Sequence, residues 1–131
     1  MSEHSLSGTE RLRNKSSFEQ IFSKGKRITS SDKLLRGIYI LSENSDGVPV
    51  KIAVGISRKA GNAVWRNRLR RLIKEAYRLN KKLLKDRISG PDKQVLLIIL
   101  PPGFSSKTYR RPGLQQVTPA LTDILTRIEL N

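Results

Sequence analysis

Ser57 to Lys85 reads SRKAGNAVWRNRLRRLIKEAYRLNKKLLK, and the rest of the chain is organised around it. Gly61 and Asn62 interrupt the preceding pattern. Asn62 is a good N-cap for the free amides of a first helical turn. Beyond it, Trp65, Leu69, Leu72, Ile73, Ala76, Leu79 and Leu83 recur at three- and four-residue steps, which predicts one buried face of an α-helix. Between them stand Arg66, Asn67, Arg70, Arg71, Lys74, Arg78, Lys81, Lys82 and Lys85, with Glu75 the only acid in the segment.

Charge on a helix face is ordinarily just solvated, and such faces mix signs because Glu or Asp four residues from Lys or Arg stabilises the helix by a few tenths of a kcal/mol. Arg66, Arg70 and Lys74 stand four apart with no acid among them, so the row is repulsive in isolation. A polyanion laid along that face would reverse the sign. The composition agrees. The 131 residues carry 26 Lys plus Arg against 11 Asp plus Glu, a net charge of +15, which favours polyanionic partners and salt-sensitive binding.

The length suits one domain with a modest core. With no cysteine there is neither a disulfide framework nor a thiolate metal site, in keeping with a reducing compartment. MSEHSLSGTE at the start is polar and holds two acids, so no signal peptide is expected, and no apolar run approaches the ~18 residues of a membrane span.

Residues 1–10 lack apolar periodicity and are expected to be a disordered tail ahead of a single domain over 11–131. Ser16 and Glu19 have capping-box spacing and Gly25 is a helix stop, which predicts a first helix with Phe18, Ile21 and Phe22 on one stripe. Ile21 reads as core, while the two phenylalanines suit either the core or an open edge where bases stack. Lys26 to Lys33 reads as a basic loop. Strands are expected at about 34–41, 50–57 and 94–100. The turn cluster Glu43-Asn44-Ser45-Asp46-Gly47 predicts that the first two form an antiparallel hairpin.

In the second strand Ile52, Val54 and Ile56 alternate with Lys51, Ala53, Gly55 and Ser57. The small, polar second row fits either a ligand's close approach at Gly55 or a bulge there. Val95 to Leu100 is apolar throughout, as in a strand buried on both faces; reaching it across the long helix makes a βαβ unit. Pro101-Pro102-Gly103 ends that strand, and a loop passes through Arg110-Arg111-Pro112-Gly113. A last helix carries Leu121, Ile124, Leu125 and Ile128. It starts either at Thr118-Pro119 or earlier with a kink at Pro119. The fold class is α+β, an α/β sandwich in the order α-β-β(-β)-α-β-α with a mixed sheet.

Protein-borne hydrolysis finds little support. His4 is the only histidine, so a Ser-His-Asp arrangement has no credible base, and the acids are too scattered to clasp Mg²⁺. No Gly-rich phosphate loop is present.

The run Ser57-Arg58-Lys59-Ala60-Gly61-Asn62-Ala63-Val64-Trp65-Arg66-Asn67-Arg68-Leu69-Arg70-Arg71 closely resembles the arginine-asparagine-arginine signature of the bacterial ribonuclease P protein subunit. Arg58 and Arg70 stand where that pattern often has lysine. The resemblance extends over roughly residues 9–129, and its most specific part is Gly61 to Arg71. It implies a left-handed βαβ crossover, against the general right-handed rule. It also implies a cytoplasmic protein that is one half of a ribonucleoprotein endonuclease. The RNA subunit carries the Mg²⁺-dependent site that removes the 5′ leader from precursor tRNA, and the protein, one copy per RNA, binds no cofactor itself.

On that footing two surfaces are expected. Arg58, Lys59, Asn62, Arg66, Asn67, Arg68, Arg70, Arg71 and Lys74 would dock onto the catalytic RNA, with Asn62 serving either RNA or only the N-cap. Arg68, nearer the apolar face, would be partly structural. Phe18, Phe22, Lys51, Arg36 and Tyr39 would line a cleft for the single-stranded leader. The main rival is a ribosomal or other structural RNA-binding protein; a DNA-binding protein lacks the usual dimer or helix-turn-helix signals.

Overall fold

The computed structural model describes residues 10–12 and 15–130. The tail expected over residues 1–10, with His4, lies outside them except for Glu10. The elements are α1 (Lys15–Lys24), β1 (Lys26–Thr29), β2 (Arg36–Glu43), β3 (Val50–Val54), a 3₁₀ turn (Arg58–Ala60), α2 (Ala63–Asn80), α3 (Lys82–Lys85), β4 (Lys93–Leu100) and α4 (Leu114–Arg127). They form one α+β domain around a four-stranded mixed sheet in the order β1-β2-β4-β3.

Register explains that order. β4 pairs antiparallel with β2 and parallel with β3, so it lies between them and the expected β2–β3 hairpin does not form. β4 is apolar on both faces without a break from Val95 to Leu100, and such a strand is most stable with a neighbour on each side. The turn cluster folds as a turn all the same. The Asn44 side chain accepts from the Gly47 amide at 2.9 Å, and Gly47 takes φ +79°, which glycine adopts without strain. The loop then wraps the start of β4 through Gln94, whose amide donates to the Val48 carbonyl at 2.7 Å.

The segment expected as a basic loop contains β1 instead, paired antiparallel with β2. One buried residue, Ile28, anchors it after exposed Lys26 and Arg27, too little alternation to read as a strand. Short, charged strands of this kind suit a sheet edge. The far edge is partly covered too, because Arg11 bridges to Ile52 and the Leu12 amide donates to the Ile52 carbonyl at 2.7 Å.

The sheet's faces are covered unequally. Tyr39, Ile52, Val95, Leu97 and Ile99 point toward α2, α3 and α4 and join Trp65, Leu69, Ile73, Leu84, Leu121 and Ile124 in the main core. Ile38, Leu96 and Ile98 point the other way into a small core closed, among the described residues, by Ile21 of α1 and by Leu12, with Phe18, Ile40, Ala53 and Leu100 packed around it. Among the described residues α1 is the one helix on this face, which leaves beside it a trough of part-buried Ile40, Ala53 and Leu100.

Boundaries differ from expectation where side chains compete. α1 begins at Lys15, so Ser16 lies inside its first turn and is not the N-cap; Gly25 ends it, its amide donating to the Ile21 carbonyl at 2.8 Å. α4 takes the earlier of its two readings, with Gly113 as N-cap and Pro119 inside the helix. Its start is held by the Gln116 side chain, which accepts from the Gly113 amide at 2.7 Å. Leu79 and Leu83, expected in the core, are exposed, because α2 stops at Asn80 and the turn into α3 buries Leu84 in their place.

Candidate nucleic-acid interface

α2 begins as its sequence dictates. The Asn62 side chain accepts from the Trp65 amide at 2.9 Å, and the Trp65 indole N–H donates to the Tyr109 carbonyl at 2.8 Å. The cap and the buried indole fix the helix about its own axis. At 100° per residue, Arg66 through Arg68 then fan across about 200° of the circumference not used for packing.

On one flank of that arc the cations are positioned by neutral acceptors. Arg66 Nε donates to the Gly61 carbonyl at 3.1 Å and Arg70 donates to the Asn67 side chain at 2.9 Å. Neither contact neutralises a charge; each holds a guanidinium in place and leaves its further N–H groups without a described partner. Lys74 is half-buried beside them, and its ammonium pKa is lowered first by burial and then by Arg11 and Arg70. A lysine pressed against two arginines favours any arrangement that brings negative charge to the face.

The sequence reading overlooked Arg11. Its backbone bridge to the edge of β3 carries its charge to α2, where it shares a concavity of about 610 Å³ with Arg68, Arg71, Lys74 and Arg78. Glu75, the one acid there, accepts from Nε and Nη2 of Arg78, which holds its carboxyl below the usual range. A residue near the chain start shows no helical periodicity, and no sequence pattern links it to residue 74. Arg68, expected to be partly structural, is exposed and points into this concavity. Arg58 and Lys59 are exposed on the 3₁₀ turn leading into α2, and Lys81 leaves the basic face to pair with Glu10 at 3.1 Å.

On the opposite side of the sheet, Phe18 is half-buried against the small core while Phe22 is 44% exposed. Lys51, Ala53 and Gly55 extend along β3 beside α1, and Arg36 lies on the same face as Ile38 and Ile40. The registers set Lys51 level with Ile40, so Arg36 stands four residues, about 13 Å, further along the sheet. The two cations bracket the trough. Lys51 is ion-paired with Asp46, whose carboxyl is held below the ordinary range mainly by that contact.

Tyr39 does not belong to this group. It is buried on the α4 side of the sheet, where its hydroxyl accepts from the Glu129 amide at 3.0 Å. Strand alternation puts it opposite Ile38 and Ile40, a register that β2 alone, apolar on both faces, left undetermined. Gly55 continues the pairing of β3 through its amide to the Ile99 carbonyl at 3.0 Å, so the strand carries no bulge there. An added Cβ at that position would come within 3.0 Å of Leu100.

Among the described residues no three His, Cys, Asp or Glu side chains group as a metal site, and no helix is long and apolar enough to cross a membrane. What the arrangement offers is cation display on one side and a part-aromatic trough on the other.

A family model described as Ribonuclease P matches residues 6–129. The chain is 36% identical to the ribonuclease P protein component of Syntrophus aciditrophicus across 83% of this chain and 82% of that one. It is 31% identical to the Petrotoga mobilis counterpart across 92% of each. The solved ribonuclease P protein from Thermotoga maritima superposes with a TM-score of 0.70 at 27% identity, covering 92% of this chain and 98% of that one. The Staphylococcus aureus protein shares the fold, with a TM-score of 0.60 at 19% identity.

Proposed function

The chain belongs to the Ribonuclease P family, and from that premise we propose that it is the RNA-binding protein half of a ribonucleoprotein that removes 5′ leaders from precursor tRNA. The observation that carries this reading is the α2 face, where Arg66, Arg70 and Arg71 have no acid among their partners. Docking onto the catalytic RNA satisfies them, since arginine forks each take two phosphate oxygens. Arg58, Lys59, Arg68 and Lys74 extend the same surface, and Asn67 both orients Arg70 and offers an amide to ribose or base edges. Asn62 spends its side-chain oxygen on the cap, which leaves its NH₂ for RNA.

The trough on the other side takes the single-stranded leader. Phe18 and Phe22 supply surfaces on which bases of any sequence stack, and Arg36 and Lys51 hold the backbone at either end. Lys51 must exchange Asp46 for phosphate, so it adds less than a free lysine would. Catalysis belongs to the RNA, which in this reading holds the Mg²⁺; the protein lowers repulsion between two polyanions, as one copy per RNA in the cytoplasm.

Reconstitution tests the reading. Added to ribonuclease P RNA and precursor tRNA at low Mg²⁺, the protein should stimulate 5′ processing. The triple variant R66A/R70A/K74A should lose that stimulation and bind the RNA with a salt slope shallower by about 2–3, at an unchanged circular dichroism spectrum. Wild-type protein that leaves processing unaltered, or a triple variant that binds undiminished, defeats it.

A further inference from the structure

The loop from β4 to α4 is fastened to the start of α2. The Ser106 amide donates to the Ala60 carbonyl at 2.7 Å, and the Trp65 indole holds the Tyr109 carbonyl from the other side. Within the loop, the Phe104 and Tyr109 rings pack at 4.8 Å between centroids, the Tyr109 amide donates to the Ser105 carbonyl at 2.8 Å, and Pro112 is buried. Gly61 lets loop and helix come this close, since a Cβ there would stand 3.2 Å from that of Ser106. A connector this long is ordinarily mobile; here its position is set.

That fastening brings Arg110 and Arg111 across a groove of about 620 Å³ from Arg68 and Asn62. All three arginines are exposed, and none makes a hydrogen bond or ion pair with a described residue. No acid lines the groove. Its wall at Arg68 also borders the concavity that holds Arg71 and Lys74, so the two adjoin along the flank of α2.

We infer that Arg110 and Arg111, with Arg68, form a second phosphate-holding groove, and that its occupant is the sugar-phosphate backbone of the catalytic RNA as it runs off the α2 face. The inference rests on the docking reading above and adds residues that lie about thirty positions beyond the end of α2. Three unpaired guanidinium groups around a groove without an acid select a polyanion. The shared wall at Arg68 selects the strand already lying on α2 over one entering from the leader trough, which lies on the other face of the sheet. The loop's hydrogen bonds spare the ordering cost that a mobile arginine arm would incur on binding.

The test compares binding to ribonuclease P RNA over a salt series. R110A/R111A should bind about tenfold more weakly at 0.15 M salt with a slope shallower by about 1–2, and its thermal unfolding should match wild type. R110K/R111K should restore the slope but only part of the affinity, because lysine keeps the charge and loses the fork. Wild-type affinity and slope in R110A/R111A, while R66A/R70A/K74A loses both, overturns the groove and leaves the helix face standing. If the helix variant is equally unaffected, the docking reading falls with it. The chain has no cysteine, so a photo-crosslinker on K107C reports from the loop alone. Crosslinks to the catalytic RNA support the assignment; crosslinks to precursor tRNA only, or to neither, overturn it.

Discussion

Gly61 stands where the 3₁₀ turn, the first turn of α2 and the β4–α4 loop converge. Its backbone is extended, a conformation open to any residue, so the demand for glycine is one of space. An added Cβ would lie 2.6 Å from the Trp65 ring. Gly61→Ala must therefore push the indole, and overpacking of this kind costs about 1–3 kcal/mol. Trp65 is the only tryptophan, so the displacement is read directly as a shift in fluorescence emission together with a lower Tm. Unchanged emission would mean that the ring has room the structure does not show. Asp123 makes a different demand. Its carboxylate accepts from the Ser31 amide at 2.7 Å and hydroxyl at 3.0 Å and from Arg127 at 3.2 Å, and these contacts, the Ser31 amide foremost, hold its pKa below 3.8. Because the folded value is depressed, the stability it confers is complete above the unfolded pKa and fades as pH falls through the lower folded one. Asp123→Asn should cost about 1 kcal/mol at pH 7, and the gap to wild type should close as urea melts are taken below pH 3.8. A gap independent of pH would assign the loss to shape and not to charge.

Among the elements, α1 is the one whose role the stability of the fold leaves open. Its ten residues bury Ile21 completely but expose Phe22 and half-expose Phe18. A helix present only to cover the sheet would turn larger side chains inward. Base stacking is worth about 1–3 kcal/mol per ring, so F18A/F22A should weaken binding of leader-bearing precursor tRNA by roughly tenfold or more while binding of mature tRNA is kept. Equal loss for both RNAs, or a collapse of Tm, would return the rings to the core. α2 was legible to the residue at its start, because the Asn62 cap, the apolar spacing and the cation row all act within one turn of each other. Its end was not. Leu79 and Leu83 continue the spacing, yet tertiary packing selects Leu84 and Tyr77. The βαβ unit followed from β4 being apolar throughout, whereas the placing of β4 between β2 and β3 depends on pairing between distant segments that leaves no local mark. The same holds for Arg11, Arg110 and Arg111. Loop arginines carry no periodicity, and only the folded chain brings them to α2.

For the molecule as a whole, net charge makes salt act in two opposite directions. Even with every acid matched to a cation, +15 remains, and several acids are already committed: Glu10 to Lys81, Asp46 to Lys51, Glu75 to Arg78, Asp123 to Arg127 and Glu129 to Lys26. The excess is concentrated around α2, where Arg70, Lys74 and Arg11 repel one another without relief in the free protein. Raising ionic strength from about 0.01 to 0.1 M shortens the screening length from roughly 30 to 10 Å, which weakens that repulsion. The free protein's Tm should therefore rise with added NaCl over this range. Complex formation has the opposite dependence, because each neutralised phosphate releases counterions and affinity falls steeply as salt increases. In R66A/R70A/K74A both effects should shrink together, since the same cations cause them. A Tm that falls with salt in the free protein, or a variant that loses the binding slope while keeping the full salt stabilisation, would show that the self-repulsion and the docking surface lie in different places.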